Sequence, residues 1–272
     1  MRSVQAELKA EGHPVPLTKL CRWFGIPRSS VYYKPRKRKA KVDPDKVRKI
    51  KEVINEFPNY GYRRVAVVLG WNKKVVQRIF QIKGWQVKKR SKGRRPRAQR
   101  LKSVAIGPNE RWAMDMALVW CGKDRWCSLA VVIDCATREV LGWRLACKGN
   151  AITAEAALEE ALIERFGHLG RISSPITLRS DNSLVFTSRR YTGTVRAYGL
   201  AQEFITPYTP EQNGLVERFI RSIKEECIWH HRFESLSHAR EVIGRWIKYY
   251  NTRRPHQALG YKSPVEAYKN VK

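Results

Sequence analysis

The sequence has no apolar run that approaches the roughly 20 residues needed to cross a bilayer; stretches such as Leu129–Ile133 end after a few residues. The first residues, Met1 to Glu7, turn polar at once, so no secretory leader is expected. No CxxC pair occurs among the six cysteines, Cys21, Cys121, Cys127, Cys135, Cys147 and Cys227, and four of them lie in or beside apolar strand-like segments. Reduced, buried thiols are the expectation. Cys227 with His230 and His231 has the residue types of a zinc cluster, but adjacent histidines at a helix end ordinarily face solvent. No internal repeat is visible.

Acidic residues are also scarce, with 24 Asp+Glu against 54 Lys+Arg and a formal charge of +30. The imbalance is concentrated: residues 1–108 carry +24 and residues 109–272 only +6. A surplus of that size suits a polyanion, because each neutralised phosphate releases counterions. Without an apolar anchor the partner is nucleic acid rather than membrane, and the expected location is the cytoplasm, in association with the nucleoid.

The 272 residues divide by pattern. Within 1–42, apolar Leu17, Leu20, Trp23 and Phe24 precede a break at Gly25 and a Ser-rich second segment, as in a helix-turn-helix, before a basic linker from Lys34 to Lys41. Within 43–87, Asp43-Pro44-Asp45 opens a helix carrying Val47, Ile50, Val53, Ile54 and Phe57; a short helix around Val65–Leu69 and a third from Lys74 to Phe80 follow. Three short helices with exposed Lys and Arg resemble a small DNA-binding module, and a plain three-helix bundle has the same pattern. Arg63, Arg64, Lys73 and Lys74 are its candidate DNA contacts. Residues 88–106 form a basic linker whose Arg94, Arg95 and Arg97 would run along phosphates.

From residue 107 the pattern turns to strands: Trp112–Val119, Trp126–Asp134 and Val140–Cys147 as an antiparallel meander, then a helix from Thr153 to Phe166. A strand at Ile176–Arg179, a helix over Ser188–Tyr198, a strand at Glu203–Thr206 and a further helix complete an α/β order.

Three carboxylates stand out in that order. Asp115 interrupts an apolar strand, where a charge needs a partner or a metal. Asp181 follows directly on a strand, and strand ends are where α/β proteins gather their sites. Glu217 lies on a helix whose apolar stripe is Val216, Phe219, Ile220, Ile223 and Cys227, with Arg221 and Lys224 stacked beside the acid. Hard oxygen ligands from separate elements suit two divalent ions in phosphodiester chemistry. Asp134 ends a strand before a turn and reads as turn-satisfying, and Asp124 as a hairpin-loop residue.

The triad spacing, 65 residues between Asp115 and Asp181 and 35 between Asp181 and Glu217, is similar to that of DDE transposases and retroviral integrases. The segments Thr206–Arg218 and Tyr250–Tyr261 resemble signatures of the second reading frame of IS3-family insertion sequences, and Gly61-Tyr62-Arg63-Arg64 resembles that family's helix-turn-helix. The resemblance implies a ribonuclease-H-like core, a mixed five-stranded sheet with flanking helices, over residues 107–272. It implies two Mg²⁺ or Mn²⁺ held by Asp115, Asp181 and Glu217, nicking of transposon ends, and attack of the freed 3′-hydroxyl on another phosphodiester, with transposon-end and target DNA as partners. Homo-oligomers on DNA and fusion with an upstream-frame product are implied as partners. One departure is Ser183, where the family usually has glycine; a positive φ there would cost on the order of 1 kcal/mol. A DNA-binding regulator without catalysis, and an RNA-cutting nuclease on the same fold, remain alternatives.

Overall fold

The structure, a computed structural model, describes residues 1–34, 42–87, 105–206 and 210–271, excepting the side chains of 210 and 211. The basic linker residues Arg94, Arg95 and Arg97 lie outside the described residues. The chain separates into two compact units, Met1–Asp43 and Pro44–Lys272.

The first unit holds α1 (Arg2–Ala10), α2 (Leu17–Trp23) and α3 (Arg28–Tyr32). Gly25, at φ +61°, makes the turn between α2 and α3. Leu20 and Cys21 are buried, whereas Trp23 and Phe24, which share the apolar spacing of Leu20, are 60% and 59% exposed. Three helices this short enclose room for few side chains.

In the second unit, α4 (Pro44–Glu56), α5 (Tyr62–Leu69) and α6 (Lys73–Lys83) pack around Ile50, Val53, Val65, Val76, Ile79 and Phe80. Asn72 caps α6 by accepting from the Lys74 amide at 2.9 Å, and Gly84 ends it in the left-handed region.

A five-stranded sheet follows, built from β1 (Arg111–Trp120), β2 (Trp126–Asp134), β3 (Val140–Ala146), β4 (Thr177–Ser180) and β5 (Ala201–Phe204), in the order β3-β2-β1-β4-β5. The first three strands form the expected antiparallel meander, while β4 joins β1 and β5 joins β4 in parallel. This mixed five-stranded sheet, covered by helices on both faces, is the ribonuclease-H-like architecture. Fourth and fifth strands start one residue later and two residues earlier than their apolar content indicated, because pairing, of β4 with β1 and of β5 with β4, rather than hydrophobicity sets their ends.

Side-chain alternation assigns the two faces. Trp112, Met114, Ala130, Val132 and Leu178 meet α7 (Ala151–Phe166), α8 (Leu184–Thr187) and α9 (Arg189–Ala197). On the other face, Ala113, Ala117, Val119, Leu129 and Val131 meet α10 (Gly214–Glu226) and α11 (Leu236–Thr252), with α12 (Pro264–Lys269) closing the chain. Gly142 allows α7 to lie against β3: a methyl there would run into the Ala157 carbonyl oxygen and the Ala161 amide. All five apolar positions read on the Glu217 helix are buried.

The helical module also packs on the sheet-bearing part. Phe57 stacks on Tyr249 at 5.1 Å, the Tyr60 and Tyr249 hydroxyls hydrogen-bond, and Asn59 Nδ2 donates to the Glu225 carbonyl at 2.9 Å. Arg254 forms a two-pronged pair with Glu226, Nε to Oε2 at 2.8 Å and Nη2 to Oε1 at 2.5 Å.

Candidate active site

Strand register brings the first two carboxylates together. Ala113 of β1 is paired with Arg179 of β4 in a parallel ladder, so two residues further along Asp115 and Asp181 arrive side by side where β4 ends. Asp115 sits between Ala113 and Ala117 on the face that α10 covers, where these small neighbours leave space for a carboxylate. Its Oδ1 accepts the Met116 amide at 2.7 Å. Asp181 Oδ1 accepts the Ser183 amide at 3.0 Å.

Ser183 itself has φ −66° and ψ 155° and precedes α8. The backbone conformation that would have penalised a serine is therefore not adopted, and the departure from glycine carries no cost of that kind.

Glu217 reaches the same place because the start of α10 is tied to both strands. Asn213 Nδ2 donates to the Met114 carbonyl at 3.3 Å, one residue before Asp115. Arg179, two residues before Asp181, gives Nη1 to the Gln212 carbonyl at 2.8 Å and pairs with Glu203 on β5 through Nε at 3.1 Å and Nη2 at 2.9 Å. Gln212 Oε1 in turn accepts the Thr206 amide at 2.8 Å. Arg179, Glu203, Gln212 and Asn213 thus position the acids without being among them. Sequence reasoning missed them; their only signal was a charged residue inside the short strand Thr177–Ser180.

Electrostatics register the convergence. Burial, reinforced by the Asp181 and Glu217 carboxylates, pushes the Asp115 carboxyl up to about 6, against the Met116 amide and the Lys224 ammonium, which favour the charged form. Asp115 and Glu217 line a cleft of about 730 Å³ together with Leu118, Arg221, Lys224 and Trp229. Among the described residues no three His, Cys, Asp or Glu side chains stand close enough together, as placed, to hold a metal ion. The donor set nevertheless fits a hard divalent cation: three carboxylates drawn from separate elements, one of them with its charge disfavoured by burial and by the other two.

The other acids behave as structural groups. Asp134 is fully buried, with Oδ1 accepting the Ala136 and Thr137 amides at 2.8 and 2.9 Å and Oδ2 accepting the Asn109 amide at 2.8 Å. Asp124 Oδ2 accepts the Leu236 amide at 2.7 Å, at the start of α11. All six cysteines are free thiols, and all but Cys147 are buried.

Of the expected DNA contacts, Arg63, Lys73 and Lys74 are exposed, and Arg63 and Lys73 line a groove of about 620 Å³ with Trp71 and Tyr261. Arg64 departs from that expectation: its guanidinium lies 3.4 Å from Glu226 and over the Tyr60 ring, inside the junction rather than on its surface. The helix period placed Arg63 and Arg64 on adjacent flanks, but only the tertiary contact with Glu226 tells which one turns inward.

The Integrase core domain family matches residues 106–210 and again residues 198–264. InsK of insertion sequence element IS150 from Escherichia coli K12 is 30% identical over 94% of this chain and 94% of its own length. Transposase InsD of insertion element IS2D, also from E. coli K12, is 29% identical over 82% of this chain and 78% of its length.

This chain belongs to the IS3 family of DDE transposases.

Among solved structures, the magnesium complex of the HTLV-2 integrase catalytic core aligns with a TM-score of 0.48 at 18% identity, over 61% of this chain and 99% of that one. In the transposase the second signature segment is structural. Asn251 brackets the Val140 backbone, accepting its amide at 2.9 Å and donating to its carbonyl at 2.8 Å, and Arg254 holds Glu226. His256 packs edge-on against Tyr250 at 4.8 Å. No helix among the described residues is long and apolar enough to cross a membrane.

Proposed function

We propose that this transposase nicks DNA at the ends of an insertion sequence and joins the freed 3′-hydroxyl to a second phosphodiester, with Asp115, Asp181 and Glu217 holding two Mg²⁺ or Mn²⁺ ions. The observation that carries the reading is the parallel register that aligns Asp115 with Asp181 beside a cleft lined by Glu217, Arg221 and Lys224. When bound, the ions would activate the attacking water or 3′-hydroxyl and stabilise the leaving oxygen.

The chain's own residues account for the remainder. Arg221 and Lys224, one and two turns beyond Glu217 on α10, offer cations to the phosphates flanking the reacting one. The Arg179–Gln212 and Asn213–Met114 bonds hold α10 at a fixed distance from the two strands, which keeps the acids in reach of one phosphodiester. Exposed Arg63, Lys73 and Lys74 offer a second contact surface for duplex DNA, and Arg94, Arg95 and Arg97 a third. Action as a homo-oligomer on DNA, fusion with an upstream-frame product and association with the nucleoid belong to the same proposal.

The test is strand cleavage of a duplex carrying the element's terminal inverted repeat, in Mg²⁺, by the wild type and by Asp181→Asn. Loss of cleavage by at least about a thousandfold is expected, with DNA binding retained. Equal rates would reject the metal mechanism, and DNA binding without cleavage by either protein would leave a DNA-binding regulator. Faster cutting of an RNA–DNA hybrid than of duplex DNA would favour the nuclease.

A further inference from the structure

The lining of the acidic cleft includes a side chain that neither metal binding nor phosphate contact uses. Trp229 stands immediately past the end of α10 and is 67% exposed. A large aromatic left open to water is informative, because burying it would release more free energy than almost any other side chain offers.

Its backbone is fixed even though its indole is open. Cys227, two residues before it, is buried; Ile228 packs on the core; the His230 amide donates to the Cys227 carbonyl at 3.1 Å; and the His231 ring nitrogen Nδ1 lies 2.8 Å from the same carbonyl. His230 Nε2 is 3.4 Å from Asn59 Nδ2, which links this turn to the helical module. The ring is therefore displayed from a rigid turn beside Arg221 and Lys224, with Leu118, 58% exposed, adding an open aliphatic side chain to the same lining. An aromatic platform next to backbone-neutralising cations is how proteins hold unstacked bases, since every base has a π-face and each phosphate needs a charge.

We propose that Trp229 is a binding site for one unpaired nucleobase, the terminal base of a DNA end unstacked from its duplex, and that this stacking seats the neighbouring phosphodiester over Asp115 and Glu217. The inference rests on DNA being the substrate of this cleft. It assigns to the turn after α10 a role in end recognition that is independent of sequence, because stacking tolerates any base.

Fluorescence of 2-aminopurine at the terminal position of a mixed-sequence duplex tests it, with the terminal pair either matched or mismatched. The protein is used in an Asp181→Asn background so that the duplex survives, and Trp229 is either kept or changed to Phe or Ala. Stacking should quench the probe with Trp229 and with Trp229→Phe, and the quench should be lost with Trp229→Ala. Affinity for the mismatched end should fall by about 5- to 150-fold in Trp229→Ala, the range that one base–aromatic stack supports. Separately, in the otherwise wild-type protein, Trp229→Ala should slow cleavage of matched ends more than of mismatched ones.

A quench that survives Trp229→Ala, or equal loss of cleavage on both ends, overturns the proposal. A shift in oligomeric state on Trp229→Ala without any change in quenching overturns it as well, and makes the indole a protein contact. Failure of the metal reading would look different: Asp181→Asn would cleave like the wild type while the 2-aminopurine signal, read on binding before cleavage proceeds, still depended on Trp229.

Discussion

Asp115 is the residue on which the site is most strained. Its folded carboxyl titrates near 6, well above its ordinary value of 3.8, because it is buried beside Asp181 and Glu217. A raised carboxyl binds its proton more readily folded than unfolded, so the protein is most stable below about pH 4 with respect to this group and loses that stability as pH rises through the 4–6 window. Removing the charge should therefore stabilise the metal-free protein: Asp115→Asn in EDTA near pH 7.5 is expected to gain on the order of 2 kcal/mol, a few degrees in Tm. Added Mg²⁺ should raise the Tm of the wild type more than that of the variant. A variant less stable than wild type in EDTA would mean that burial and the neighbouring carboxylates do not disfavour the Asp115 charge. At this scale Asp115 was legible as a candidate, since a carboxylate inside an apolar strand has few explanations. The anchors Arg179 and Asn213 were not, because a hydrogen-bond partner 33 or 99 residues away is chosen by the register of strands and not by local pattern.

Periodicity marked the individual helices but not the surfaces they share. The α4–α6 segment reads as a module with cations outside, yet its Arg64 joins Arg254 on a single carboxylate, Glu226, at the end of α10. Arg254 is 4% exposed and Glu226 13%, so the cluster is a buried charge network connecting α5, α10 and the segment after α11. Breaking one partner of such a network leaves an uncompensated ion out of water. Glu226→Gln should cost about 3–5 kcal/mol, read as a lower denaturant midpoint, and Arg254→Met in the same chain should recover part of it. Loss of less than about 1 kcal/mol in Glu226→Gln would show that solvent reaches the pair. The apolar stripe of α10 was readable because 100° per residue collects Val216 through Cys227 on one side. Glu226 falls at the edge of that stripe, seven residues after Phe219, and a helical wheel does not tell that this edge meets Arg254 rather than water.

Over the whole molecule, charge and topology divide the work. The succession of elements and the meander of the first three strands followed from apolar runs and turn residues; the sheet order did not, and once β4 lies parallel to β1 the approach of Asp115 and Asp181 follows from geometry. Most of the +30 lies in residues 1–108, before the sheet begins, which is where a polyanion would be drawn. The sheet-bearing part carries little net charge, so its contribution to DNA binding must come from a few placed cations rather than from a general field. Lys224 is the sharpest case, being the cation whose charge acts on Asp115 and which lines the same cleft. Each duplex phosphate neutralised contributes a slope of about −0.9 to the dependence of log affinity on log salt. Lys224→Ala should accordingly weaken binding of matched and unrelated duplexes alike and reduce the magnitude of that slope by about 1, measured by titration across salt concentrations. If affinity fell while the slope stayed fixed, Lys224 would be acting on the carboxylates and not on phosphate. A retained slope with retained affinity would instead place the DNA path through the cleft elsewhere than along α10.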